Sequence, residues 1–175
     1  CKLTERIPAP PETCLPTPLL AQWGVSIPDR MLPEHSRTFI RAIAYLGTIP
    51  MVIMALLMWL VHDELHGFVA AALASYGGIV VAFLGGIHWG IGLRSGVNAP
   101  KLHFIWGAFA AFAGWFGVLM HPAAGMPFLA LMFVICYVVD DRTWERAGLS
   151  EWLTVRFHAT VLAVMSCLAG AAGSM

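Results

Sequence analysis

Seven histidines sit in a chain otherwise poor in charge, and two of them fall at matching depths in long apolar runs. His88 stands six residues before Arg94 and His158 six residues after Trp152, which at helical rise sets each about 9 Å in from one end of its run. His103 opens a further run on the same side, Asp140 and Asp141 close another, and Arg156 lies half a turn from His158. An inner-side polar cluster of these groups is expected, and ionisable residues in apolar surroundings are costly enough to call for a functional hypothesis. In one reading, His88 and His158 are axial ligands of a haem or hydrogen-bond the headgroup of a quinone. In the other, His88 and Asp140 or Asp141 tie helices together while Arg156 snorkels to the surface. The structural reading carries more weight, because no second signature of a haem or quinone site accompanies the histidines.

At the opposite ends of the runs, His62, Asp63, Glu64 and His66 form a short segment, with His121 nearby in the same logic. Two histidines four apart with carboxylates could hold a divalent metal if the segment were helical, but solvated interface residues are the simpler expectation. No CxxC or alternating Cys/His spacing appears among Cys1, Cys14, Cys136 and Cys167, so neither zinc nor a disulfide framework is indicated. The middles of the runs hold no Asp, Glu or Lys, which argues against an ion-coupled pump. There is no GxSxG nucleophile and no P-loop, and Ser75 and Ser166 lack a placed histidine. The chain is therefore read as non-catalytic.

The elements that must position these residues are five apolar runs, Phe39–Val61, Gly67–Leu93, Phe104–Met120, Pro127–Val139 and Leu153–Gly173. Spans near 20 residues match a hydrocarbon layer of about 30 Å. All ten Lys and Arg fall in alternate gaps. Lys2, Arg6, Arg30, Arg37 and Arg41 precede or open the first run, Arg94 and Lys101 separate the second and third, and Arg142, Arg146 and Arg156 flank the start of the fifth. Short basic segments stay on the cytoplasmic or matrix side. The fold expected is an all-α membrane protein, a five-transmembrane-helix bundle with its N-terminus inside and its C-terminus outside. Composition agrees, with 59% hydrophobic and 11% charged residues against roughly 25% charged in a soluble domain. A net charge of zero gives no hint of nucleic-acid binding. The fourth run is short and must recruit Ala123–Met126, with Pro122 or Pro127 near its end, to reach across.

Within the runs, Pro50 after Gly47-Thr48-Ile49 predicts a kink midway along the first helix. Gly86 and Gly90 make a GxxxG face on the second, Gly107, Ala111 and Gly114 supply small residues on the third, and Ser166, Gly170 and Ser174 repeat on the fifth, so close helix packing is expected there. Trp59, Trp89, Trp106, Trp144 and Trp152 sit towards span ends as interfacial anchors should, whereas Trp115 lies deeper and is read as packing.

Residues 1–38 differ from the 39–175 transmembrane domain. IPAPPETCLPTPLL holds five prolines in fourteen residues, so this tail is expected to run extended and to lie against a partner through Leu19, Leu20, Trp23 and Val25. The opening Cys1 in place of Met is read as the mark of a cleaved organelle-targeting sequence or of a simple boundary.

Tyr76-Gly77 followed by Phe83-Leu84-Gly85-Gly86-Ile87-His88-Trp89-Gly90 resembles the signature of the transmembrane protein 69 family, membrane proteins of proteobacteria and mitochondria defined only as a domain of unknown function. Tyr45-Leu46-Gly47-x-Ile49-Pro50, the Asp140-Asp141 pair and Trp152 followed by Arg156 are similar to its other recurring positions, and the resemblance runs from about Ala42 to Leu168. It implies a five-helix inner-membrane protein and no established reaction. The function expected is a non-catalytic accessory or assembly subunit of a large energy-converting complex, a respiratory chain or ATP synthase, in the mitochondrial inner membrane or its bacterial counterpart. Its spans fill a flank of the complex, and the basic tail residues Arg30, Arg37 and Arg41 hold a phospholipid such as cardiolipin. A haem- or quinone-binding electron-transfer protein using His88 and His158 is the alternative, and a small transporter the third reading.

Overall fold

The computed structural model describes residues 34–95 and 100–174, with the backbone alone for 146 and 147. The chain divides into two units, Cys1–Arg37 and Thr38–Met175, and the bundle is the second. The expected extended course of the tail lies outside the described residues as far as residue 33, but from Glu34 onward the chain is already helical, five residues before the expected start at Phe39. The helices are α1 (Glu34–Leu46), α2 (Ile49–Leu60), α3 (Asp63–Arg94), α4 (Lys101–Leu119), α5 (Pro122–Ala147) and α6 (Leu153–Gly173), with a 3-10 turn at Ser150–Trp152. The described residues contain no strand. With α1 and α2 taken as one interrupted span, five helical segments are long and apolar enough to cross a membrane.

The interruption has a local cause. Pro50 lacks an N–H and sits in the first turn of α2, so α1 closes instead with Gly47 N–H bonding to the Ile43 carbonyl at 3.0 Å and Thr48 N–H to Tyr45 at 2.9 Å. The Thr48 hydroxyl doubles the last of these, donating to the Tyr45 carbonyl at 2.7 Å. The Gly47 carbonyl accepts from the Tyr76 hydroxyl of α3 at 2.8 Å. An orphan carbonyl in an apolar layer is costly, and here one phenol satisfies it and pins the break to the neighbouring helix.

Among these helices α3 is the central one, packing on α2, α4, α5 and α6. The fourth span does recruit Ala123–Met126: α5 begins at Pro122, carries Pro127 inside it and continues to Ala147. Asp140 therefore does not close that helix but stands seven residues short of its end. Gly148 stops it in the left-handed region at φ 72°, and Leu149 N–H returns to the Trp144 carbonyl at 2.9 Å, a wrapped helix end that glycine accommodates. Met51, Met58, Leu73, Val81, Met126, Leu129, Phe133, Cys136 and Cys167 are fully buried in the core.

The close packing predicted for the glycines is present, but on a different stripe. Gly78, Gly85 and Gly92, seven apart, face α4: a β-carbon on Gly85 would fall 2.6 Å from the Gly107 carbonyl oxygen, one on Gly114 2.5 Å from that of Gly78, and one on Gly92 2.8 Å from the Phe104 ring. Gly86 and Gly90 have open space where a side chain would go, and Ala111 is exposed, so the GxxxG pair is not an internal contact of this chain. Gly170 on α6 does meet Leu73 and Met126. Trp115 is 60% exposed rather than packed, and Trp144 is buried rather than an anchor. Gly85→Ala is expected to lower stability relative to Gly86→Ala by about 1–3 kcal/mol through overpacking. The pair of variants shares the same change in helix propensity, so thermal unfolding of the purified chain in detergent reads the contact alone.

Candidate functional site

Four helices each contribute to one buried polar chain at the end of the bundle marked by Arg94 and Lys101. On α6, Arg156 donates through Nε to Asp140 Oδ2 of α5 at 2.7 Å. The second carboxylate oxygen, Oδ1, faces His88 Nε2 of α3 at 2.9 Å. His88 Nδ1 in turn lies 3.1 Å from Nδ1 of His103 on α4. Behind the guanidinium, Arg156 Nη1 donates to Thr160 Oγ1 at 3.0 Å, and that hydroxyl donates to the Arg156 carbonyl at 2.9 Å. The relative exposures are 1% for His88 and Asp140, 5% for Thr160, 8% for Arg156 and 9% for His103.

Local sequence explains the convergence. Arg156 and Thr160 are four apart and so share a helix face. Cys136, Asp140 and Trp144 repeat at the same interval along α5 and are all buried. His88 lies on the face of α3 that also carries Gly78, Gly85 and Gly92, whose missing side chains bring the α4 backbone near enough for the two imidazoles to meet. The indole of Trp106 meets the His88 ring edge-on at 6.4 Å between centroids. Trp89, on the other side, donates Nε1–H to the Phe104 carbonyl at 3.0 Å.

The bonding pattern limits the protonation states. Arginine stays cationic, and the carboxylate beside it accepts with both oxygens, so His88 carries its proton on Nε2. With His88 neutral, its Nδ1 is a bare acceptor and His103 must donate Nδ1–H. Cation and anion cancel. Two buried donors remain unanswered, Arg156 Nη2 and Trp144 Nε1, each an orphan costing about 1–3 kcal/mol.

The expected inner cluster is thus largely assembled from His88, His103, Asp140 and Arg156, with two corrections. Arg156 does not snorkel, because its head is committed to Asp140 and Thr160. Asp141, about 100° further round the helix, is exposed and outside the cluster. His158 is exposed and faces away: its Nδ1 lies 3.0 Å from the Tyr45 hydroxyl, and its ring neighbours are Phe157 and Tyr45. His88 and His158 are therefore not brought together, and both His88 nitrogens already have protein partners. Of the basic residues read as lipid ligands, Arg41 rests over the Trp152 ring at 5.9 Å, Arg37 lies in the first turns of α1, and Arg30 is outside the described residues. At the far end His62 caps α3 and Asp63 and Glu64 fill its first turn, while His66 donates Nε2–H to the Val61 carbonyl at 3.1 Å. Among the described residues no three His, Cys, Asp or Glu side chains gather closely enough to hold a metal ion.

Thr160 is a partner that the sequence reading did not single out, and that reading places Trp106 only as an interfacial anchor and Tyr45 only in the family pattern, not beside these histidines. The i,i+4 spacing of Arg156 and Thr160 was the one available signal; the other two depend on which helices touch. Asp140→Ala is expected to destabilise the chain by about 3–5 kcal/mol, because it strands a buried guanidinium. Asp141→Ala should stay within about 0.5 kcal/mol. Thermal melts of the two variants in one detergent check the contrast.

The family model described as protein of unknown function DUF3429 matches residues 36–172, a stretch that contains every residue of the cluster. No curated protein and no solved structure matches the chain. With a match over most of its 175 residues, the chain belongs to the DUF3429 family of proteins of unknown function.

Proposed function

We propose that this chain is a non-catalytic accessory or assembly subunit of a larger energy-converting membrane complex, allied within its family to transmembrane protein 69. The setting is the mitochondrial inner membrane or the equivalent bacterial membrane, with the basic end of the bundle on the matrix or cytoplasmic side, as the Lys and Arg distribution supports. The observation that carries the reading is α1. This helix is amphipathic and has no buried residue. Phe39, Ile43 and Leu46, spaced to lie along one face, are 61%, 52% and 62% exposed. Such a face is covered from outside the chain, by lipid or by another protein. A partner subunit covers it in this proposal, while Arg41 above Trp152 holds the helix to the bundle and the neighbouring basic residues attract an anionic phospholipid such as cardiolipin. The buried polar chain fits the same role, because it holds four helices in one register and makes a stiff platform.

Native electrophoresis of membranes solubilised in mild detergent, with immunodetection of this chain and mass spectrometry of the band, tests the reading. Co-migration with respiratory or ATP-synthase subunits is expected. Phe39→Ser combined with Ile43→Ser should release the chain from that band yet leave the melting of the isolated chain unchanged, since neither side chain is buried. Migration of the native chain as a small free species would reject the proposal.

A further inference from the structure

The buried pair of imidazoles has a property that a helix tie does not need. Two neutral histidines joined through Nδ1 at 3.1 Å share one hydrogen, so one of the two facing nitrogens is always bare. His88 is backed on its other nitrogen by a carboxylate at 2.9 Å, a counter-charge within hydrogen-bond reach. His103 is on the first turn of α4, beside the exposed Lys101 and Leu102, and keeps 9% exposure. We infer that His103 and His88 form a membrane-buried proton-binding site, with His103 the acceptor at its mouth and His88, against Asp140, the place where the charge comes to rest.

The uptake balances as follows. A hydronium at the Arg94 end gives its proton to the outward Nε2 lone pair of His103, forming one N–H bond and leaving water. The Nδ1–H bond of His103 then breaks as a new bond forms to Nδ1 of His88. His103 ends neutral, in the opposite tautomer, and His88 ends as an imidazolium with both nitrogens protonated. No electrons are transferred and the site gains one unit of charge.

The groups facing the pair support this assignment. From α5 comes Asp140; Arg156 of α6 reaches the pair through that carboxylate, and Cys136, one turn before Asp140, is buried in the core; α2 has no titratable residue over Ile49–Leu60. Arg94, Lys101, Asp141 and Arg142 are exposed and answer to solvent. With Arg156 alone, Asp140 is neutralised; with His88 charged as well, two cations share one carboxylate. Arg156 Nη2 already lacks an acceptor, so the loaded site has less hold on its guanidinium, and proton uptake reports directly on the contact between α5 and α6. This inference does not depend on which complex holds the chain.

Nitrogen-15 magnetic resonance of the full chain, labelled at histidine and reconstituted in phosphatidylcholine bilayers, reads tautomer and charge ring by ring. Between about pH 5 and 9, the range in which imidazoles change charge, His88 and His103 are expected to move together at one shared midpoint, with the charged signature on His88. His103→Gln keeps a donor for His88 Nδ1 but cannot carry a proton, so the shared step should vanish while the chain melts as before. Asp140→Asn should abolish it too, because the imidazolium loses its counter-charge. Fixed tautomers across the range in the native chain would overturn the inference and leave a purely structural tie. So would two separate midpoints, or a His88 step that survives His103→Gln.

Discussion

The contact between Arg156 and Asp140 sets terms that the rest of the bundle must meet. Removing two opposite charges from water costs several kcal/mol per ion, and the attraction between them offsets this only when the geometry is tight and the remaining lone pairs are occupied. Arg156 Nε at 2.7 Å from Oδ2 provides the first condition. The second requires another donor at Oδ1, and only a side chain from a third helix reaches it. His88 is therefore held by the needs of the ion pair, and α3 cannot rotate without exposing a carboxylate oxygen to an apolar layer. One charge pair in this way determines the register of α3, α5 and α6.

Bringing α4 into the same register is a matter of backbone clearance. In a bilayer, apolar side chains gain little by leaving lipid for a neighbouring helix, so close packing and hydrogen bonds decide association. The stripe Gly78, Gly85 and Gly92 provides the packing, setting α3 so near α4 that β-carbons would overlap carbonyl oxygens or the Phe104 ring. His88, four residues before Gly92, lies on that stripe. The approach that the glycines permit is what leaves its ring 5.4 Å from that of His103 between centroids. The polar chain and the glycine stripe are thus one device: the first specifies rotation, the second distance.

Most of the architecture was legible in the residues, because hydrophobic run length and breaker position are local properties. Pro50 announced the break between α1 and α2, and the shortness of the fourth run announced that α5 starts before Pro127. The histidines, Asp140 and Arg156 stood out because charge is conspicuous in apolar runs. What could not be read was direction. Gly86 and Gly90 satisfy a packing motif as well as Gly78 and Gly85 do, yet the helix has only one face towards α4, and a one-residue step turns the side chain by about 100°. The same ambiguity placed Asp141 with Asp140 and His158 with Arg156. The depth of Asp140 was misjudged for another reason: α5 continues past it through charged residues to Gly148, where hydropathy had already fallen.

The two unanswered donors give the cluster a further physical meaning. Buried polar groups are nearly always partnered, and among the described residues Trp144 Nε1 and Arg156 Nη2 are buried donors without an acceptor. A network completed on every atom would be rigid, whereas this one leaves a guanidinium nitrogen without an acceptor. The glycine stripe and the Asp140 contact act on different helix pairs. The contact of α3 with α4 is fixed by backbone sterics, and that of α5 with α6 is held by the ion pair of Asp140 with Arg156, whose second oxygen is already taken by His88.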